Sequence, residues 1–176
     1  MNIKVFENLK TVNLKNINAD KKIILILFGS VLICLSTGII GKLTISPESL
    51  IWYNYLFKPA LNPPAWLFQG IWVILYLLMG VSLYIFLKKE SLGSKKLTLI
   101  IFGSQLLLNA LWVPVFFGLR SIAGGFVIII LLWAAIYLTI YKFYKVSIPA
   151  ALLLTPSLLW VSYTIGLNLS FWIWNA

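Results

Sequence analysis

Hydrophobic positions in this chain come in long unbroken runs, not in alternation. Charge-free stretches cover 23–41, 59–87, 97–119, 121–141 and 146–176, and each meets the ~18-residue minimum for a helix that crosses a bilayer. They predict transmembrane helices at about 23–43, 65–87, 97–117, 121–141 and 149–174. Barrel strands of about 10 residues alternate lipid-facing with lumen-facing side chains, and these runs do not. The expected fold class is therefore all-α, an integral membrane bundle of five helices.

The polar positions punctuate that pattern. Residues 1–22 are rich in Asn and Lys, with Val5, Leu9 and Val12 suggesting a short interfacial stripe. This segment is long for the start of a signal peptide and no small-x-small cleavage site follows the apolar run, so it is read as retained. Asp20 is placed to cap the first span. The 44–64 connection is the long one, and it carries Trp52, Tyr53, Tyr55, Phe57 and prolines 59, 63 and 64. Its aromatic anchors and stiffening prolines predict a lid packed on the helix ends. Gly118 and Arg120 mark a tight turn, and Pro156 should kink the last helix and free a carbonyl for other groups to satisfy. The connections are too short to fold separately, so 23–176 reads as one transmembrane domain after the polar segment.

Composition agrees with burial in lipid. The chain is 61% hydrophobic and 10% charged, with a mean hydropathy of +0.99, whereas soluble domains carry about 25% charged residues. The net charge of +10 does not indicate nucleic acid, because the basic residues follow the loops. Eleven fall on the side of the N-terminus and of the 88–96 and 142–145 connections, against Lys42, Lys58 and Arg120 on the other. That asymmetry predicts a cytoplasmic N-terminus and an external C-terminus. Histidine is absent, which removes imidazole bases and the usual haem and zinc ligands. The lone Cys34 lies within the first span and reads as a small buried hydrophobe. Neither a metal nor a resident cofactor is expected.

Polar and aromatic residues share helix faces. Gln105, Asn109, Trp112 and Phe116 recur at spacings of 4, 3 and 4, a single stripe. Carboxamides at membrane depth need partners, so this stripe should face the bundle. Gln69, Trp72, Tyr76 and Met79 form a second stripe, and Trp160, Thr164, Leu167 and Phe171 a third, with Asn168 about 80° away. If the helix ends are flush, Trp72, Asn109 and Asn168 share a layer ~10 Å deep and Trp160 lies ~21 Å deep. The expected chamber has Trp160 as floor, Trp72, Asn109 and Trp112 as walls, and the 44–64 segment as cover. Two readings stay open for these groups: interhelical glue and packing, or contact with a small molecule. Trp52, Trp66, Trp172 and Trp174 read as an interfacial belt, and Lys58 and Arg120 as snorkelling cations.

The run WYNYLFKPALNPPAWLFQGIWVILYLLMG from Trp52, QLLLNALWVPVFFGLR in the third helix and PAALLLTPSLLWVSYTIGLN in the fifth resemble the TspO/MBR family in order and spacing. The resemblance implies a five-helix bundle, commonly a homodimer, with a cavity for porphyrins such as protoporphyrin IX and for isoquinoline-carboxamide or benzodiazepine-type ligands. It implies a bacterial member, in the cell membrane. It puts Tyr53, Pro63, Asn109 and Trp112 on ligand-contacting positions. Trp72 and Trp160 fall where the family's tryptophans linked to light-dependent porphyrin breakdown lie. Three positions depart from the pattern: Leu61 stands for a Trp, Ile128 for an acidic residue and Thr164 for a cavity alanine. The closing LSFWIWNA lacks the Tyr and Arg of the animal sterol-recognition segment, which argues against a sterol ligand.

Two functions follow as expectations. One is tetrapyrrole binding for sensing, sequestration or transport, at Tyr53, Pro63, Trp72, Tyr76, Gln105, Asn109, Trp112, Phe116, Trp160, Thr164 and Asn168. The other is an enzyme that oxidises protoporphyrin IX with light and oxygen through Trp72 and Trp160. Acid-base catalysis is excluded as a reading, since Glu7, Asp20, Glu48 and Glu90 all lie outside the spans.

Overall fold

The computed structural model describes residues 3–89 and 95–175, with side-chain surroundings from residue 21 onward. Among the described residues there are seven α-helices and no strand: α1 (Ile3–Leu43), α2 (Pro47–Tyr55), α3 (Ala65–Lys88), α4 (Lys95–Val113), α5 (Ile122–Tyr144), α6 (Ile148–Leu152) and α7 (Thr155–Asn175). Five stretches are long and apolar enough to span a bilayer: Lys21–Leu43, Ala65–Lys88, Lys95–Gly118, Ile122–Tyr144 and Ile148–Asn175. Their outward faces expose Leu25, Phe28, Ile33, Ile74, Leu107, Val127 and Leu159, a surface suited to lipid and costly to leave in water.

The helices form a closed ring. Helix α1 packs between α3 and α4, α5 between α4 and α7, and α6 joins α5 to α3. At the end of the ring away from α2, the core is solid. Phe86 and Phe143 stack at 4.2 Å, Phe102 lies 5.8 Å from Phe143, and Met79, Cys34 and Leu154 are fully buried beside them. The α1–α3 crossing is tight because Gly80 has no side chain; a Cβ there would stand 2.6 Å from Val31 Cα.

Four boundaries differ from the sequence reading. Helix α1 does not begin near residue 23 but runs from Ile3, so Asp20 sits within a helix and is no N-cap. The chain from 3 to 28 holds neither Pro nor Gly, so no breaker ends the helix at the membrane boundary. The stripe of Val5, Leu9 and Val12 lies outside the described side chains. The lid segment is partly helical: Pro47 opens α2, and the Ser46 hydroxyl accepts from the Ser49 N–H at 3.2 Å, as a capped helix start requires. The third span ends in a π-helical turn, Pro114–Gly118, closed by Leu119 N–H donating to the Pro114 carbonyl at 2.9 Å. In the turn that follows, Arg120 takes a φ of 51°, and no described glycine has positive φ.

Pro156 does more than kink the last span; it divides it into α6 and α7. The Leu152 carbonyl, which Pro156 has no N–H to satisfy, accepts from the Thr155 hydroxyl at 2.7 Å. Nearby, the Ser82 hydroxyl donates to the Ala150 carbonyl at 2.6 Å and ties α3 to α6. The carbonyl freed by Pro156 thus keeps a hydrogen-bond partner within the chain.

Candidate functional site

In the half of the bundle capped by α2, the helices stand apart around a cavity of about 860 Å³, within the usual size range of small-molecule sites. Its walls come from α1, α3, α4, α5, α7 and the lid segment. Tyr53, Pro63, Trp72, Tyr76, Asn109, Trp112, Phe116, Thr164 and Asn168 all line it. Gln105 and Trp160 do not.

Gln105 lies below the cavity, fully buried, and its Nε2 donates to Met79 Sδ at 3.6 Å. It is a strut of the solid core. Trp160 packs behind the wall, 5.7 Å from Phe68 and 5.1 Å from Tyr163. The helix ends are not flush here. Asn175 bonds both the N–H and the carbonyl of Phe57 (2.8 and 3.1 Å), and the Tyr163 hydroxyl donates to the Leu61 carbonyl. Residues 163 and 175 lie about 18 Å apart along a helix, so the lid segment descends beside α7 and α3 begins well below the end of α7. Trp160 is thereby level with Phe68 of the first turns of α3 and is no floor.

Aromatic rings make up much of the apolar lining. Trp72 stacks on Tyr76 at 5.6 Å and meets Phe68 edge-on at 6.3 Å. Trp112 stacks on Phe116 at 5.2 Å, and Tyr53 lies 5.4 Å from Phe117 and 5.7 Å from Phe171. The π-helical turn explains why Phe116 and Phe117 both reach the cavity: widening the turn re-aims neighbouring side chains that an α-helix would separate by about 100°. Sequence periodicity alone therefore missed Phe117. It also missed Phe68, although its i, i+4 relation to Trp72 was visible. The α1 wall was missed too, despite a signal: Ser30, Cys34, Thr37 and Gly41 recur at spacings of 4, 3 and 4, and all four are buried. A Cβ at Gly38 would stand 2.6 Å from the Tyr76 ring, so that glycine makes room for the tyrosine.

The three carboxamides separate by function. Asn168 is committed at both ends in the amide orientation that pairs both: its nitrogen then donates to the Ile122 carbonyl (3.2 Å) and its oxygen accepts from the Trp112 indole N–H (3.2 Å). Gln105 is outside the cavity. Asn109 combines two features: it lines the cavity with its Oδ1 accepting from the Tyr76 hydroxyl at 2.8 Å, and its buried Nδ2, like Gln105 Oε1 below, has no partner among the described residues. Thr164 offers no free donor, since its hydroxyl donates to the Trp160 carbonyl at 2.8 Å.

At the mouth, Tyr53 and Asn62 bond each other (Nδ2 to Oη, 3.0 Å). Burial raises the Tyr53 hydroxyl above its ordinary range, opposed by the Asn62 bond. Lys58 Nζ sits 5.1 Å from the Tyr53 ring centroid. Of the tryptophans read as a belt, Trp66, Trp172 and Trp174 are exposed, whereas Trp52 packs edge-on against Phe116 at 5.7 Å and buttresses the lid.

Residues 30–173 match the TspO/MBR family. The tryptophan-rich protein TspO of Chlorobaculum tepidum is 43% identical over 141 residues, covering 77% of this chain and 87% of the relative. The tryptophan-rich sensory protein of Cereibacter sphaeroides is 34% identical over 117 residues, 66% of this chain and 72% of its own. The translocator protein of Homo sapiens is 36% identical over 135 residues, covering 76% and 80%.

Proposed function

The chain belongs to the TspO/MBR family of multi-pass membrane proteins, and from that premise we propose that its cavity binds tetrapyrroles such as protoporphyrin IX, in a sensory or transport role. The relatives named translocator protein and tryptophan-rich sensory protein support such a role. The observation that carries the ligand class is Asn109. Its Nδ2 is a buried donor without a partner among the described residues, set in a wall of aromatic rings that includes Trp72, Tyr76, Trp112 and Phe116. An unpaired buried donor costs about 1–3 kcal/mol, and a ligand acceptor would recover that cost. Flat aromatic ligands suit walls of stacked rings, and a pyrrole macrocycle offers both faces and ring nitrogens. Smaller aromatic carboxamides offer the same pairing of ring and acceptor.

Titration of the purified protein with protoporphyrin IX in the dark, followed by tryptophan emission, tests this reading. Saturable quenching is expected in the wild type and a large loss of affinity in Asn109→Leu. Non-saturable quenching, or equal affinity in that variant, would remove the proposal. The charge asymmetry of the loops supports an external α2 end. An impermeant thiol reagent applied to intact cells should then label a cysteine at Glu48 and spare one at Lys145.

A further inference from the structure

Lys42, at the end of α1, and Lys58, in the lid segment, both line the mouth of the cavity. Among the described residues no acid lines it with them. Glu48 is the sole acidic residue between 21 and 89, and none occurs from 95 to 175. Glu48 does not line the cavity; Ser46 beside it, and secondarily its own backbone, hold its carboxyl below the usual range, with a weaker pull from Arg120. Among the described residues Lys58 has neutral company, the Tyr53 ring at 5.1 Å and Asn54 Oδ1 at 3.4 Å. The cavity is thus apolar and aromatic within and doubly cationic at its rim.

We infer that Lys42 and Lys58 select ligands bearing carboxylates at one edge of an aromatic body, with the body in the cavity and the acids at the mouth. This inference rests on the tetrapyrrole reading and adds a recognition element to it. Cations facing an apolar chamber with no protein anion attract anionic ligands most strongly where the low-dielectric wall limits screening. Each rim pair is partly solvated and so modest, worth severalfold in affinity, and two together about tenfold.

The test compares protoporphyrin IX, a dicarboxylic acid, with its dimethyl ester, which keeps the macrocycle and removes both charges. Titrations use the full chain in neutral detergent, where no lipid phosphate competes for the lysines. The wild type should favour the free acid by about tenfold at low salt, with the preference shrinking as salt screens it. In Lys42→Gln/Lys58→Gln the preference should fall to near unity while ester affinity stays at its wild-type value, which also reports that the variant is folded. Equal affinity for acid and ester in the wild type, or an undiminished preference in the double variant, overturns the inference and leaves tetrapyrrole binding intact. Failure of both pigments to bind the wild type overturns the tetrapyrrole reading and this inference together.

Discussion

The Tyr76 hydroxyl donates to Asn109 Oδ1 across 2.8 Å, between α3 and α4, at the inner end of the cavity. One bond fixes two things: the pose of the Tyr76 ring under Trp72, and the direction in which Asn109 Nδ2 points. Tyr76→Phe should cost about 1–2 kcal/mol of stability, because the Asn109 oxygen is left buried and unpaired. It should also weaken protoporphyrin IX binding, since the amide is then free to turn. Thermal unfolding in detergent and a dark titration read the two effects. A variant with unchanged midpoint and unchanged affinity would show that the bond orients nothing.

Tyr53 gives the lid a pH dependence with a defined sign. Burial holds its hydroxyl neutral beyond the ordinary tyrosine value of about 10. A folded-state value above the unfolded one contributes stability that is complete below pH ~10 and is lost as pH rises through the raised value. The unfolding midpoint should therefore be flat from neutral pH to about 9.5 and then fall. Other tyrosines titrate in the same window, so the measurement is the difference between the wild type and Tyr53→Phe. That difference should be constant below pH ~10 and shrink above it; a difference that grows with pH contradicts the assignment.

Close approach at Gly80 should make it the least tolerant glycine of α3. An added methyl meets Val31 Cα at 2.6 Å and Val31 N at 3.0 Å, backbone atoms that move only with their helix. Gly80→Ala should destabilise by about 1–3 kcal/mol. At Gly70, in the same helix, an added methyl would meet nothing within 4 Å, and Gly70→Ala should be neutral or stabilising by up to about 1 kcal/mol. Thermal midpoints of the pair measured side by side decide it, and equal effects would show that the crossing yields.

Much of this arrangement was legible because it follows from periodicity. The five spans, and the inward stripes carrying Trp72, Tyr76, Asn109, Trp112 and Phe116, need only 3.6 residues per turn and the cost of polar groups in lipid. The features that were not legible depend on departures from the regular helix or on longitudinal offset. Phe117 is re-aimed by a π-helical turn, and α2 forms inside a segment whose prolines suggested a loop. Trp160 left the chamber because hydrogen bonds from Asn175 and Tyr163 draw the lid segment down along α7. Composition could not tell which carboxamide is strut and which is free, since Gln105, Asn109 and Asn168 differ only in what surrounds them.

The contrast between Trp72 and Trp160 bears on whether the protein also transforms its ligand. Trp72 lines the cavity, while Trp160 lies behind Phe68, which stands 6.3 Å from Trp72 and 5.7 Å from Trp160. Trp160→Phe should therefore leave protoporphyrin IX affinity unchanged. Trp72→Phe keeps a ring and should weaken binding only modestly, since an aromatic contact is worth about 0.5–1.5 kcal/mol beyond its area. Illumination in air separates the roles. Indole gives up an electron far more readily than benzene, so a tryptophan that takes part in light-driven pigment loss is not replaced by phenylalanine. If Trp72 alone acts, its variant alone should stop the loss of pigment absorbance. If charge passes outward through the Phe68 contact, Trp160→Phe should slow that loss as well, without having touched the ligand. Wild-type rates in both variants would leave binding as the function and remove the enzymatic reading.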